Sequence, residues 1–172
     1  LFEFLMPTLV IHEQKFAPRG LGLNDKIVSE LHRDYAIKEK KYPVWGISPA
    51  STSDGRRWMY GEYGIKKLGA KGYPDRGVIT PHASFLALDT IPKDAIKNIR
   101  KLLTFNLYGE YGFYDSITFP SQKVNTQYLA LDQGMMLAAF RAKMGDGQDL
   151  GFLPGGGVPI RIGCGRGICW MD

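Results

Sequence analysis

Four carboxylate side chains in the sequence have the chemistry of general acids and bases. A protonated carboxyl group can donate a proton to a leaving oxygen, while an ionised one can activate water or attack carbon. The sequence does not assign either role to a particular residue. We interpret the following residues as candidate catalytic groups: Glu62, Glu110, Asp115 and Asp132.

Two of these carboxylates lie in copies of one motif. Tyr-Gly-Glu-Tyr-Gly occurs at Tyr60–Gly64 and again at Tyr108–Gly112. Glycine on either side of the acid lets the backbone turn tightly, so rings and carboxylate can point into one cavity. Coincidence in a chain rich in glycine and tyrosine is the alternative. The position of both copies between predicted helices favours a shared pocket.

Asp132 is unusual because its neighbours are apolar. Leu129, Leu131, Met135 and Met136 surround it on a segment with helical spacing. A charge on such a helix is costly unless it is paired or faces a cavity. Both a buried ion pair and an acid that points into a pocket therefore stay open, and both require a partner.

Aromatic and polar side chains near these acids are typical of a carbohydrate site. Aromatic rings stack on the C–H faces of a pyranose, while acids, amides and imidazoles bind its hydroxyl groups. Each residue alone is more typical of a protein core, but together they favour a pocket. We expect Trp45, Tyr63, His82 and Tyr114 to line one cavity with Asp132. The candidate substrate-binding residues are Trp45, Tyr60, Tyr63, His82, Tyr114 and Gln133.

Metal and nucleotide chemistry are not expected from the motifs. The sequence has no His-Glu-x-x-His, no histidine pair at metal spacing and no phosphate-binding loop. Cys164 and Cys169 lack the second ligand pair of a closed zinc site, and they could pair or stay free. We therefore predict neither a metal nor a cofactor.

Composition indicates one globular domain. The chain has 172 residues, of which 44% are hydrophobic, and carries a net charge of +5. No segment is apolar for long enough to cross a membrane. The densest basic run, Lys38–Lys41, fits a solvated helix end, so a nucleic-acid partner is not expected.

Apolar spacing of three and four predicts a mainly α chain. The only strand candidates are short, at residues 44–47 and 117–119. A long loop from Tyr42 to Ser84 is expected to build a site, and the glycine-rich tail 147–172 has no assigned role. The predicted helices span residues 1–13, 25–39, 81–88, 93–105 and 126–143.

Several blocks occur in a familiar order and resemble the glucoamylase-like glycoside hydrolases. That family is similar to β-1,2-glucanases and to the transglycosylase domain of cyclic β-1,2-glucan synthases. The resemblance runs from about Leu1 to about Met144. It rests on "LFEFLMPTLVI" at the start, "WGISPAS" (45–51), "YGEYGI" (60–65), "GVITPHASFLAL" (77–88), "YGEYGFYDSI" (108–117) and "YLALDQGMMLAA" (128–139).

The resemblance implies an (α/α) toroid whose loops form a glucan cleft, with residues 1–146 matching its C-terminal half. It implies a glycoside hydrolase that uses carboxylates on a β-glucan, most of all β-1,2-glucan. Pro49 replaces the glutamate that follows Trp-Gly-Ile-Ser in the synthases, which counts against a synthase role. The alternative is a carbohydrate-binding or structural fragment without chemistry.

The resemblance also bears on partners and location. The expected partner is a glucan or oligosaccharide, and the family favours a periplasmic or extracellular location. Half a toroid leaves helix faces uncovered, including Phe2, Leu5, Leu9 and Ile11. We therefore expect either a homo-oligomer or a separate N-terminal half to cover them.

Overall fold

Helices dominate the part of the chain that the computed structural model describes, which comprises residues 1–53, 58–69, 72–145, 162–165 and 168–171. A 3₁₀ helix (Met6–Leu9) follows the first α-helix, and a π-helical turn (Tyr35–Glu39) extends the third. The α-helices are α1 (Phe2–Leu5), α2 (Glu13–Phe16), α3 (Leu21–Asp34), α4 (Pro81–Leu86), α5 (Pro92–Leu103) and α6 (Ala130–Gly145).

Short antiparallel strands connect the helices. The strands are β1 (Ala50–Ser53), β2 (Trp58–Gly61), β3 (Val78–Ile79), β4 (Tyr108–Gly109), β5 (Gly112–Phe113), β6 (Ser116–Thr118), β7 (Lys123–Asn125), β8 (Ile162–Gly165) and β9 (Ile168–Met171). A three-stranded sheet has the order β3-β6-β7, and the other strands form the hairpins β1-β2, β4-β5 and β8-β9.

The helix predictions hold for the central segments and need correction at the ends. The predicted helix 1–13 is divided, because the chain tightens into a 3₁₀ turn around Pro7. The predicted helix 126–143 begins only at Ala130, since the carbonyl of Gln127 accepts a hydrogen bond from the Asp115 N–H instead. Residues 44–47 form no strand, whereas 117–119 overlaps β6.

Helix α4 lies at the centre of the core. All six of its residues are buried, and it packs against α1, α5 and α6. Asn98 on α5 donates to the Trp45 carbonyl and the Ser84 hydroxyl and accepts from the Trp45 N–H, at 2.8–3.1 Å. Buried amides that are bonded in this way fix the loop that carries Trp45 onto the core.

Helix α3 has an exposed apolar face. Leu23, Ile27 and Leu31 are more than 40% exposed, whereas the same helix buries Ser29 and His32. The predicted uncovered face at the N-terminus was wrong for Leu5, which is fully buried. Ile11 is exposed, as are the nearby Val10 and Phe16. Within the described residues, no helix has both the length and the apolarity to span a membrane.

The tail carries hairpin β8–β9, in which Cys164 lies opposite Cys169 in the strand register. Residues 146–161, 166–167 and 172 lie outside the described residues. The same holds for residues 54–57 and 70–71 of the long loop. The division of the chain at residue 146 and the role of the tail therefore stay predictions.

Gly77, which directly precedes β3, should be essential for the backbone conformation at that point. Its φ is +73°, and an added Cβ would lie 2.2 Å from the Phe119 carbonyl oxygen. Gly77→Ala should therefore lower the free energy of unfolding by about 3 kcal/mol or more. Gly72→Ala is the matched control, because Gly72 has a φ of +62° but meets only the flexible Lys66 side chain. That control should cost about 1 kcal/mol. Equal losses of unfolding free energy for the two variants in urea would show that contact with the Phe119 carbonyl is not what makes Gly77→Ala costly.

Candidate functional site

Three buried titratable side chains meet beneath the long loop. Asp115 immediately precedes β6, Asp132 lies in the first turn of α6, and His82 is the second residue of α4. Their exposed fractions are 2%, 6% and 1%. One carboxyl or imidazole atom from each lies within 4.8 Å of the others. Segments that are far apart in the sequence thus place two of the predicted acids and one predicted binding residue in one cluster.

The imidazole of His82 is held between Thr80 and Asp132. The Thr80 hydroxyl donates to the Gly46 carbonyl at 3.1 Å and lies 3.4 Å from the ring Nε2. The other ring nitrogen, Nδ1, faces Asp132 Oδ2 at 3.1 Å, although not along the line of a good hydrogen bond. A lone pair on Nδ1 would repel a carboxylate oxygen at that distance, so the Nδ1–H tautomer suits an ionised Asp132.

Asp132 is held as a carboxylate. Burial acts to raise its pKa, but hydrogen bonding to His82 and Asp115 outweighs burial and keeps the pKa below its usual value. A negative charge at this position is therefore favoured at neutral pH, despite the apolar residues around it on α6.

Asp115 is held as a neutral acid. Its Oδ2 accepts hydrogen bonds from the Ser51 N–H at 2.6 Å and the Ser51 hydroxyl at 2.8 Å. These bonds favour the ionised form, but burial and the neighbouring Asp132 act more strongly and raise the pKa of Asp115 to about 8. The carboxyl groups of the pair therefore differ in protonation at pH 7.

The same three ligand atoms have a spacing that could hold a small cation. Two carboxylates and one imidazole are one ligand fewer than a closed tetrahedral zinc site uses. A proton on Asp115 removes the repulsion between the two carboxyl groups without further ligands. We therefore interpret the cluster as protonated, and the sequence-based expectation of no metal stays a prediction.

Ser51 and Asn125 support the pair from the strands. The Asn125 amide donates to the carbonyl and the hydroxyl oxygen of Ser51, both at 2.7 Å, and lies 3.5 Å from Asp115 Oδ2. The Ser116 hydroxyl also donates to the Ser51 carbonyl, at 2.8 Å. Sequence reasoning missed Ser51, Asn125 and Thr80 as site residues. The available signal was that Ser51 and Thr80 lie inside two of the recognised blocks.

Tyr60 lies between the pair and solvent. The β1–β2 register places Tyr60 opposite Ser51, so both side chains lie on one face of the hairpin. The Tyr60 side chain is 63% exposed. Partial burial and then the charges of Asp132, Asp115 and Glu62 raise the pKa of its phenol. Of the predicted ring residues, Tyr60 is the one whose position couples it electrostatically to the acids.

The first copy of the repeated motif contributes to a neighbouring cleft. Glu62 is exposed and lines this cleft together with Tyr63, Tyr73 and His32. The Tyr63 hydroxyl lies 3.2 Å from the Thr52 hydroxyl. By contrast, Trp45 is 3% exposed and packs in the core. The structure therefore places the predicted ring residues Trp45, Tyr63 and Tyr60 in three different environments.

The second copy of the motif forms hairpin β4–β5, with exposed Glu110 at its turn. Next to it, Tyr114 packs on Tyr128, with ring centroids 5.0 Å apart. A Cβ on Gly109 would lie 2.4 Å from both of these hydroxyls. Gln133 donates to the Phe113 carbonyl at 2.7 Å. Its amide nitrogen therefore holds the hairpin in place.

The family model described as "Putative glucoamylase" matches residues 1–143. The chain belongs to this family. The cyclic β-(1,2)-glucan synthase NdvB of Rhizobium meliloti is 29% identical over 160 residues, which are 86% of this chain and 6% of the synthase. Membership confirms the resemblance inferred from the blocks.

Solved structures show the same fold at lower identity. A putative glucoamylase from Bacteroides uniformis has a TM-score of 0.66 at 23% identity, over 84% of this chain and 35% of its own. The endo-β-1,2-glucanase of Chitinophaga pinensis, solved with sophorotriose and glucose, has a TM-score of 0.60 at 22% identity, over 72% of this chain and 30% of its own. The β-1,2-glucanase of Parabacteroides distasonis has a TM-score of 0.66 at 17% identity, over 84% of this chain and 21% of its own. The chain thus spans about a third or less of these relatives.

Proposed function

We propose that the chain forms part of the catalytic cleft of a glycoside hydrolase that acts on a β-glucan, with β-1,2-glucan as the preferred substrate. The observation that carries the proposal is the Asp115–Asp132 pair, whose members differ in protonation at neutral pH. Pairs of titratable groups with opposed pKa shifts are typical of acid-base sites. Family membership and the β-1,2-glucanase relatives support the substrate class.

The pair acts as one proton donor. Catalytic carboxyls that flank a glycosidic bond are about 5–10 Å apart, so that a sugar or a water molecule fits between them. Asp115 and Asp132 are closer, because their oxygens lie within 4.8 Å. The proton that reaches the glycosidic oxygen is the one held by Asp115, the neutral acid of the pair. The second carboxylate must then come from another position.

Glu62 is the favoured second carboxylate within this chain. It is exposed, and its charge reaches Tyr60 together with the charges of the pair. Glu110 lies on an exposed turn and is the other candidate. A carboxylate from a part of the fold beyond this chain would serve equally, because the solved relatives are about three times as long as the region they share with it.

A larger (α/α) toroid would complete the cleft. Helix α3 exposes the apolar stripe Leu23, Ile27 and Leu31. Such a stripe favours a covering partner. The N-terminal half of the toroid is the proposed cover, and a second copy of the chain is the alternative.

The rival function is carbohydrate binding without chemistry. The burial of Asp115 and Asp132 favours it, because a buried pair can be purely structural. Incubation with linear β-1,2-glucan separates the two functions, and β-1,3-glucan is the linkage control. We expect new reducing ends from the β-1,2-linked substrate alone. Calorimetric binding of the glucan without new reducing ends would establish the rival.

A further inference from the structure

His82 is less exposed than a sugar-binding residue needs to be. Its side chain is 1% exposed, and both ring nitrogens face protein groups, Thr80 on one side and Asp132 on the other. A substrate hydroxyl has no free ring nitrogen to reach. The structure therefore favours a role for His82 other than direct substrate binding.

We propose that His82 is a positioning residue, oriented by Thr80, that holds Asp132 as an anion directed at Asp115. The proposal rests on the proposed function, because it assigns His82 to the proton donor of that site. It makes His82 act through Asp132 and never on the sugar.

The hydrogen-bond chain around the ring gives the orientation. The Thr80 hydroxyl, which donates to the Gly46 carbonyl, lies 3.4 Å from Nε2. This contact holds the Nε2 edge of the ring against Thr80 and directs Nδ1 at Asp132. A ring held by a second group in this way orients the carboxylate beside it.

The charged surroundings of the ring are simple in the described structure. Asp132 faces it from α6, Asp115 lies beside Asp132 before β6, and Tyr60 is coupled to both acids from β2. Helix α5, which also packs against α4, presents the uncharged amide of Asn98 to Ser84. Removing the contact at Nδ1 should thus change the pKa of Asp132 first.

Two substitutions of His82 separate its two nitrogens. The amide nitrogen of Asn occupies about the position of Nδ1, and that of Gln about the position of Nε2. His82→Asn should keep cleavage within about threefold of the native rate, whereas His82→Gln should lower it about 30-fold. Sugar contact through the ring would instead make both variants raise KM with kcat unchanged.

A stability measurement tests the proposal even if the chain cleaves nothing. In the native chain the lowered pKa of Asp132 adds stability that is present above its unfolded pKa and is lost as pH falls through its folded pKa. Without the bond from Nδ1, burial raises that pKa instead. His82→Gln should therefore lose stability relative to the native chain as pH rises from 3 to 6, and His82→Asn should not. Parallel curves for all three proteins would overturn the proposal.

Two further results keep the test decisive if His82→Gln does not fold. Thr80→Val removes the hydroxyl that contacts Nε2, and Thr80→Ser keeps it. Only Thr80→Val should show the relative loss of stability with rising pH, and equal behaviour of the two would overturn the proposal. Added Zn²⁺ that raises the melting temperature of the native chain but not of His82→Gln would show a metal site, which also overturns it.

Discussion

Asp132→Asn is expected to lower the free energy of unfolding at pH 7 by about 3 kcal/mol, whereas Asp115→Asn should leave it nearly unchanged at pH 4 and raise it at pH 7. Asp132 carries the negative charge that faces His82 and accepts the proton of Asp115. An amide in its place leaves both partners without that charge. At Asp115, by contrast, an amide reproduces the neutral acid, since it can accept from Ser51 and donate to Asp132.

The pH dependence of unfolding should separate these variants further. The folded pKa of Asp115 is raised to about 8, above its unfolded value, so its contribution to stability is fully present at low pH and is lost as pH rises from about 4 to about 8. Asp115→Asn should remove this loss, which is at most about 1.4 kcal/mol per pH unit.

Urea unfolding from pH 4 to pH 8 measures both effects. Asp94→Asn is the control, because Asp94 pairs with Arg33 at the surface and should cost less than about 1 kcal/mol. Equal destabilisation by Asp115→Asn and Asp132→Asn at pH 7 would show that the two carboxyls have the same charge, contrary to the assignment.

Asp115→Asn should also lower kcat/KM for linear β-1,2-glucan by at least about 100-fold while the protein stays folded. The amide keeps the hydrogen bonds of the pair but cannot release a proton to the glycosidic oxygen. Because the fold is retained, unfolding cannot explain the loss. The measurement is the rate of new reducing ends, with Asp94→Asn again as the control.

Two outcomes of that kinetic comparison would redirect the assignment. Cleavage by Asp115→Asn at near the native rate would make the pair structural and pass the acid role to Glu62 or Glu110. Glu62→Gln is the matching variant for the second carboxylate, and we expect a loss of similar size from it. No effect of Glu62→Gln would favour a carboxylate from outside this chain.

The helices could be predicted from the sequence because their apolar spacing is local. Helix α5 shows this, since Ile99 and Leu102 are buried at the spacing that the pattern indicates. The strands could not be predicted, because runs of two to four residues are too short to show alternation. Ser116–Thr118 is a strand mainly because it pairs with segments on both sides.

The site could be predicted only as a set of residue types. Asp115, Asp132 and His82 were each candidates, but no local pattern indicates that β6, α6 and α4 bring them together. The support from Ser51 and Asn125 depends on the same long-range packing. Helix α3 shows the limit most clearly, because Ile27 and Leu31 have core spacing and yet lie exposed.

The protonation of Asp115 and Asp132 in the native chain tests the central claim most directly. Carboxyl ¹³C NMR, with the two signals assigned through Asp115→Asn and Asp132→Asn, follows each group from pH 2 to pH 9. The account predicts that the Asp132 signal titrates below its usual pKa and the Asp115 signal near pH 8. Two signals that both titrate near pH 4 would contradict it, because the pair would then hold no proton at neutral pH.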